Sequence, residues 1–359
     1  ITKALTLNAR VLLLDEPTSA LAPDEVDALF DVLRGLAAKG IGIVYVSHHM
    51  ADIFRIADRV TVLRDGQQIS TLPVSETSQE QVIAEMIGGA HPGDINRSGD
   101  IKGAEVLNVQ GLTRASEFEN ISFSIKSGEI VGMAGLMGAR HSEIVRSIVG
   151  LMQGATGEVS LHGKPAKFTS LRQAMRAGIG FVPEERKTEG LFLEQSLSDN
   201  LIAASLPEHS TLGLMSKGSI SRASTAAIAA FSVKAGEITE AVGSLSGGNQ
   251  QKIMLAKWLK RAPDLLIVEE PTKGVDVGAK FQIHTELLRR AAEGMAIFVV
   301  SSDFPELVSL STRILVVHEG RLMGDIAAHE ASETALLQMA AGNPHPPLTS
   351  PSPHSGAAL

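Results

Sequence analysis

The stretch LLIVEEPTKGVDVGA, residues 265–279, is an apolar run that ends in two adjacent carboxylates, the first of them Glu269. A second copy, VLLLDEPTSALAPDE, occupies residues 11–25, and its apolar run ends at Asp15. Asp15 and Glu269 are 254 positions apart, and the same offset aligns IVYVSHHM with IFVVSSDF and TVLRDG with LVVHEG. An ungapped register of this length indicates a duplicated unit.

The repeat divides the chain. Residues 1–90 are expected to form the C-terminal part of the first copy, and residues 104–342 the second copy. Residues 91–103 are rich in glycine and polar side chains, which is typical of a linker. The proline-rich tail, residues 343–359, is expected to be disordered. Because the first copy starts partway through a helix and the sequence opens with Ile1 rather than Met, we expect the beginning of that copy to lie upstream.

Composition excludes several classes of protein. The length of 359 residues favours about two domains, and the net charge of -8 argues against a protein that mainly grips nucleic acid. The absence of cysteine excludes disulfides, thiolate zinc sites and cysteine nucleophiles. No apolar run reaches the roughly 18 residues of a membrane-spanning helix. We therefore expect any contact with a membrane to pass through a partner protein.

Periodicity predicts an α/β fold. The short apolar runs VLLLD, IGIVYVS and VTVLRDG are typical of buried parallel strands, and an amphipathic helix separates the first two. Strand, helix and strand at this spacing predict a βαβ crossover. In the second copy, EIVGMAG predicts a strand and SEIVRSIVGL begins a helix.

The loop AGLMGARHSE, residues 134–143, lies between that strand and helix, as a phosphate-binding loop GxxxxGK[ST] does. Gly135 and Ser142 match the first and last positions of this pattern, but Arg140 stands where the pattern has glycine and His141 where it has lysine. A histidine is mostly neutral at pH 7 and reaches less far than lysine, so we expect weak nucleotide binding. The predicted nucleotide contacts are Gly135, Gly138, Arg140, His141 and Ser142, and Ser142 is also a predicted metal ligand.

The carboxylates of the first copy suggest hydrolytic chemistry. A buried strand delivers Asp15 and Glu16 to the carboxyl edge of the sheet, where ligands bind in α/β folds. There Asp15 is placed to hold Mg2+ through water and Glu16 to polarise the attacking water. His48 follows the next strand and is placed to hydrogen-bond a phosphate oxygen. The alternative is an acidic strand end that leads into a turn at Pro17.

The string LSGGNQQKIMLAKWL begins at Leu245. Ser246, Gly247 and Gly248 lead into a helix, so a hydroxyl, open backbone N-H groups and the positive end of a helix dipole converge on an anion. Gln250 is a further predicted nucleotide contact. A plain helix cap explains the serine and glycines but not their position directly before a strand that ends in carboxylates. At this string the sequence resembles the ATP-binding cassette family, and LSGGNQQK resembles the signature motif of that family.

The resemblance is closer than the family as a whole. GLMGxxxSE, PEERKTEGL, LSGGNQQK, PTKGVDVGAK and SSDFPEL together resemble the second cassette of the two-cassette ATPases of bacterial sugar importers of the ribose, galactose and xylose type. The resemblance implies ABC ATPase domains of the P-loop NTPase type, one partial and one complete. It also implies ATP and Mg2+ as cofactors, permease transmembrane subunits and indirectly a periplasmic sugar-binding protein as partners, pairing between cassettes, and a place on the cytoplasmic face of the plasma membrane.

The same resemblance implies two composite sites. In one, Asp15, Glu16 and His48 face Ser246, Gly247 and Gly248 across ATP. In the other, the loop at 135–142, the metal ligand Glu269 and the catalytic Glu270 face the signature of the first copy. Here glutamate replaces the usual aspartate, and Ser302 aligns with His48.

Other predictions follow from the resemblance. The turn PEERKTEGL would contribute Glu184 and Arg186 as contacts to the permease, unless it is only an exposed charged turn. The phosphate loop of the first copy would lie upstream of Ile1, so we expect this chain to hydrolyse ATP slowly or not at all. Two other functions remain open: a non-catalytic nucleotide sensor or assembly protein, and a soluble ABC protein that acts on ribosomes or DNA. The sugar itself is not specified by the sequence.

Overall fold

The computed structural model describes residues 9–18, 21, 23–47, 49–64, 66–87, 103–211 and 213–343. Contacts divide the chain into two compact units: residues 1–92 together with 276–281, and the remainder. The predicted linker and tail lie almost wholly outside the described residues. The boundaries of 1–90 and 104–342 as parts of two cassettes therefore stay a prediction, and the two units are described one at a time.

The first unit alternates strands and helices. Its elements are β1 (Val11–Asp15), α1 (Pro23–Ala38), β2 (Gly42–Val46), α2 (Met50–Ile56), β3 (Arg59–Arg64), β4 (Gln67–Pro73) and α3 (Gln79–Ile87). Strands β1 and β2 pair in parallel, and β3 and β4 form an antiparallel hairpin. The three predicted strands and the helix between the first two are confirmed as elements. The expectation that all three are buried parallel strands is wrong for the described residues, because β3 pairs antiparallel with β4 and alternate residues of β1 and β3 are exposed.

Helix α1 forms because its apolar residues recur on one face. Phe30 and Leu33 are wholly buried and pack with Leu12 and Leu14 of β1. Acidic residues lie in the first turn, where the helix dipole favours negative charge. Gly40 follows the helix with a φ of +86°, a conformation that glycine adopts without a steric cost. The crossover therefore covers one face of the β1–β2 pair.

The second unit begins with an antiparallel region and a strand–loop–helix segment. These elements are β5 (Glu105–Arg114), β6 (Phe118–Lys126), β7 (Ile130–Gly135), α4 (His141–Ile148), β8 (Thr156–Leu161), β9 (Lys164–Pro165), α5 (Leu171–Arg176) and β10 (Ile179–Val182). A helical region follows, with α6 (Leu197–Ile202), β11 (Ser210–Thr211), β12 (Leu214–Met215), α7 (Lys217–Ala230) and α8 (Gly247–Leu259). The unit ends with β13 (Leu265–Glu269), α9 (Val277–Ala292), β14 (Ala296–Ser301), α10 (Phe304–Leu310), β15 (Arg313–His318), β16 (Arg321–Ala327) and α11 (Glu333–Ala340). None of the helices in the described part of the chain is long and apolar enough to cross a membrane.

A six-stranded sheet in the order β10–β13–β14–β7–β15–β16 forms the centre of this unit. Its strands are parallel except for β16, which pairs antiparallel with β15. Every residue of β7, β10, β13 and β14 is buried, because apolar clusters cover both faces. Two-sided burial explains why these strands are continuous apolar runs. The carboxyl ends of β7 and β13 thus reach the same edge of the sheet.

The repeat extends from sequence to structure. Each described strand and helix of the first unit recurs in the second after the same offset of 254 residues, in the same order. The two hairpins even share a local irregularity. The pairing register shifts between Val62 and Leu63 in one hairpin, and between Val316 and Val317 in the other.

Candidate functional site

The loop between β7 and α4 has backbone conformations that glycine adopts most readily. A Cβ on Gly135 would lie 2.7 Å from Cβ of Ala139 and 2.9 Å from Nδ1 of His141, so the position accepts only glycine without a shift. Gly138 has a φ of +86° and Arg140 a φ of +74°. Arg140 therefore adopts the left-handed conformation of the glycine that it replaces, at a cost of about 1 kcal/mol. The main chain of the loop thus keeps a conformation that glycine adopts readily, with arginine at position 140.

The two substituted side chains are directed elsewhere. Nη1 of Arg140 lies 2.9 Å from Oε1 of Glu143, one turn along α4. Nδ1 of His141 is buried and has no hydrogen-bond partner, and burial lowers the pKa of this imidazole. The histidine is therefore neutral at pH 7. Arg140 carries a positive charge but is paired with Glu143, and His141 is neutral, so neither side chain supplies the free cation of the usual lysine.

Glu269, at the carboxyl end of β13, is wholly buried. Its Oε1 lies 3.2 Å from Nε of Arg146 and its Oε2 lies 2.9 Å from Nη2 of the same residue. The hydroxyl of Ser142 lies close enough to this carboxylate to lower its pKa. Burial raises the pKa of Glu269, and the hydrogen bonds from Arg146 oppose that rise. The structure thus brings two predicted site residues, Ser142 and Glu269, together with an arginine that sequence reasoning missed.

The segment 184–190 holds the other side of Arg146. Nη1 and Nη2 of Arg146 lie 3.3 and 2.9 Å from the carboxylate oxygens of Glu189. The backbone N-H of Glu184 donates to Oε2 of Glu269 over 3.3 Å. Nζ of Lys273 lies 2.6 Å from Oε1 of Glu184, and Nη1 of Arg186 donates to the carbonyl of Lys273 over 2.8 Å. The proposed permease contacts Glu184 and Arg186 are therefore tied to the segment that follows β13.

Glu270 has a φ of +45°, and its N-H donates to the carbonyl of Val300 over 2.8 Å. The backbone N-H of Ser302 donates to Oε1 of Glu270 over 2.7 Å. Burial raises the pKa of Glu270. Ser302 aligns with His48 in the repeat. The carboxylate of Glu270 is therefore contacted by a backbone N-H at the position where the first repeat has a histidine.

A second carboxylate lies behind Glu270. Glu306 is almost wholly buried, and its Oε1 accepts from the hydroxyl of Thr272 over 2.5 Å and lies 2.9 Å from Nε2 of His284. The hydroxyl of Ser301 donates to Oε2 of Glu306 over 2.9 Å. The network joins the segment after β13 to α9 and α10.

The first unit repeats part of this arrangement. Glu16 also has a φ of +45°, and its N-H donates to the carbonyl of Val46 over 2.9 Å. The hydroxyl of Thr18 donates to Oδ2 of Asp52 over 2.8 Å, the counterpart of the Thr272–Glu306 bond. Asp15 is exposed at the end of β1. The predicted catalytic His48 lies outside the described residues.

The signature residues serve mainly to build the start of α8. Ser246 precedes the helix, and its hydroxyl accepts from Nδ2 of Asn249 over 3.1 Å. Gln250 is buried, and its amide donates to the carbonyl of Leu245 over 3.0 Å. Within the described chain, Ser246 to Gln250 share no hydrogen bond with the loop at 135–142. Their role toward a nucleotide stays a prediction.

Gly247 is needed for packing within the unit. A Cβ here would lie 2.9 Å from Nη2 of Arg186 and 3.0 Å from the carbonyl oxygen of Gly274. The glycine therefore lets α8 approach the segments 184–190 and 270–274 closely.

The sequence carried one usable sign of Arg146. It follows Ser142 by four positions on α4, so the two residues share a helix face. An arginine on the same helix face as the loop serine is therefore a candidate to reach the carboxyl end of β13.

Comparisons with known proteins agree with this geometry. Residues 118–273 match the ABC transporter family. The ribose import ATP-binding protein of Halalkalibacterium halodurans is 43% identical over 346 residues, which cover 95% of this chain and 68% of that protein. The galactose/methyl galactoside import ATP-binding protein of Treponema pallidum is 40% identical over 95% of this chain and 69% of its own length.

Solved structures agree on the fold. The ATP-binding subunit of an ABC transporter matches with a TM-score of 0.55 at 21% identity, over 66% of this chain and 99% of that one. A nucleotide-free ATP-binding cassette matches with a TM-score of 0.54 at 16% identity, over 62% of this chain and 90% of the other. The predicted P-loop NTPase fold of an ABC ATPase is confirmed.

Proposed function

Because the chain belongs to the ATP-binding proteins of ABC importers of the ribose and galactose type, we propose that it binds ATP and energises the import of a monosaccharide. The observation that carries the proposal is the strand–loop–helix of the second unit. There a loop with glycine-type backbone conformations leads into α4, and Ser142 in the first turn of α4 lies close to the carboxylate of Glu269 at the end of β13, two strands from β7 in the sheet.

This loop fits a triphosphate through its main chain. The first N-H groups of a helix have no partner within the helix and attract anions. A Cβ added at Gly138 would meet nothing within 4 Å, so one side of the loop is open. Gly135, Gly138 and Ser142 would contact phosphate, whereas Arg140 and His141 add little charge at that point.

Hydrolysis is assigned to the first unit. Asp15 is proposed as the metal contact, Glu16 as the group that polarises water, and His48 as a phosphate contact, facing the signature residues Ser246, Gly247 and Gly248 of a cassette. Glu270 in the second unit has the same backbone geometry as Glu16 but is held by the N-H of Ser302. We expect Glu16→Gln to abolish any turnover of ATP and Glu270→Gln to leave most of it.

The partners follow from the same proposal. The chain would lie at the cytoplasmic face of the plasma membrane, bound to permease transmembrane subunits and indirectly to a periplasmic sugar-binding protein. Purification of the chain from native membranes with a multispanning permease, in a complex whose ATPase rises with sugar and binding protein, would support this. Sedimentation with ribosomes would contradict it.

The loop itself is tested by restoring the phosphate-binding pattern. The double change Arg140→Gly with His141→Lys should tighten ATP binding by about tenfold, since a charged hydrogen bond contributes about 1.5 kcal/mol or more. Equilibrium dialysis with ATP measures the affinity. The control is His329→Lys, which adds the same charge at an exposed position. Unchanged affinity in the double variant would mean that the loop does not hold nucleotide.

A further inference from the structure

The end of β13 is where an ABC ATPase would be expected to hold a metal ion, and the donor set there is already filled. Both carboxylate oxygens of Glu269 face the guanidinium of Arg146, at 3.2 and 2.9 Å. Oε2 also accepts the N-H of Glu184 at 3.3 Å, and the Ser142 hydroxyl lies nearby. The carboxylate is wholly buried.

Arg146 is itself fixed from two sides. Its second carboxylate partner is Glu189, at 3.3 and 2.9 Å, and its guanidinium lies 6.0 Å from the centre of the Phe181 ring. Only about a quarter of the side chain is exposed, at 23%. The planar group extends from the last turn of α4 and is held between two carboxylates. Two parallel hydrogen bonds between a guanidinium and a carboxylate strengthen the ion pair and fix the orientation of both groups.

These residues do not fit Mg2+. The ion requires nearly octahedral oxygen ligands at short distance and keeps several waters. A guanidinium in contact with the carboxylate blocks that approach and repels a divalent cation. Within the described residues, no group of three or more histidines, aspartates and glutamates is arranged to hold a metal ion. The side chain of Glu269 is also longer by one methylene than the aspartate at the corresponding Asp15.

We propose that Arg146 takes the place of the divalent cation at the carboxylate of Glu269, so that the loop of the second unit binds a nucleoside triphosphate without Mg2+. The inference rests on the proposed function, since it requires that the loop holds ATP. Asp15, exposed at the equivalent position of the first unit, keeps the proposed metal-dependent role.

The test compares ATP binding to the whole chain in Mg2+ and in EDTA by isothermal titration calorimetry. Gly138→Glu places a negative charge in the open side of the loop and identifies the binding that belongs to it. For that binding, we expect dissociation constants within about threefold of each other in the two buffers. A loss of tenfold or more in EDTA would overturn the inference and leave the proposed function intact. No binding in either buffer would overturn both.

Substitutions of Arg146 separate its charge from its packing. Arg146→Gln should free Glu269 and make binding stronger in Mg2+ than in EDTA by about tenfold, whereas Arg146→Lys should keep the ratio near one. Arg321→Gln, which breaks an exposed pair with Glu119, is the matched control and should not change the ratio. A ratio near one in Arg146→Gln would overturn the role of Arg146. If this variant does not fold, the wild-type comparison and Arg146→Lys decide the question.

Discussion

The corresponding strands β1 and β13 of the two repeats have similar apolar sequences but different surroundings. In β1, Val11 and Leu13 are 58% and 74% exposed, whereas their counterparts in β13, Leu265 and Ile267, are both wholly buried. The difference lies in the second face of the sheet. In the second unit, an apolar cluster from β5, β6, β7 and α4 covers that face, and in the first unit the corresponding face of the described strands is open.

The neighbouring strands show the same contrast. Val44 in β2 is 49% exposed, while Phe298, its counterpart in β14, is wholly buried with its ring 5.1 Å from that of Phe123. An apolar run therefore predicts a parallel strand that can be buried on both faces. Whether both faces are buried depends on the layers that pack against them.

The largest expected difference in stability is between substitutions at matched positions of β13 and β1. Ile267→Ala should cost the second unit about 3 kcal/mol of unfolding free energy, because it leaves a cavity between two covered faces. Leu13→Ala should change the first unit by no more than about 0.5 kcal/mol, because its side chain already faces water. Urea unfolding is the measurement.

The two units carry separate optical probes for this comparison. Trp258, the only tryptophan, is buried in the second unit, and Tyr45, the only tyrosine, lies in the first with its ring 6.2 Å from that of Phe30. Equal losses at the two positions would show that the face of β1 is covered in solution.

The next effect concerns charge in the buried interior of the second unit. Burial lowers the pKa of Lys257 from 10.5 to about 8, and its amine hydrogen-bonds to the carbonyl of Gly190. Between pH 8 and 10.5 the unfolded chain keeps a proton that the folded chain has released, so stability rises with pH. We expect the free energy of unfolding to rise by about 2 kcal/mol from pH 8 to 9.5. Urea unfolding monitored by Trp258 fluorescence measures this change. Lys257→Met should remove this gain, and an identical slope in the variant would contradict the lowered pKa.

The smallest expected difference in stability is between the equivalent hydrogen bonds of two threonines, Thr272 and Thr18. Thr272→Val should cost about 1.5 kcal/mol, because Glu306 is buried and loses a donor. Thr18→Val should cost about 0.5 kcal/mol, because Asp52 is partly exposed and can be solvated instead. Unfolding followed by the same two probes measures both. A larger loss at Thr18 would reverse the order of burial assigned to the two repeats.

The strands and helices were predictable because their cause is local. The apolar runs that became β1, β2 and β13, and the strand–loop–helix around Gly135, need only periodicity and a known loop pattern. The offset of 254 residues also predicted the paired elements of the two repeats.

The ion pair of Arg146 with Glu269 was not predictable in the same way. The two residues are 123 positions apart, and their contact depends on how α4 packs beside β13. The contact between the N-H of Ser302 and Glu270 was also missed, because a backbone group has no sign in the sequence. The roles of Glu16, His48 and the signature residues stay predictions.

Gly247 limits how this protein can diverge. The two groups that a side chain there would meet differ in kind: the end of Arg186 is flexible and can swing away, whereas the carbonyl of Gly274 is main chain and cannot. A change at position 186 thus relieves only one of the two conflicts. Packing therefore requires glycine at position 247 whatever residue stands at position 186, and this requirement does not depend on a bound nucleotide.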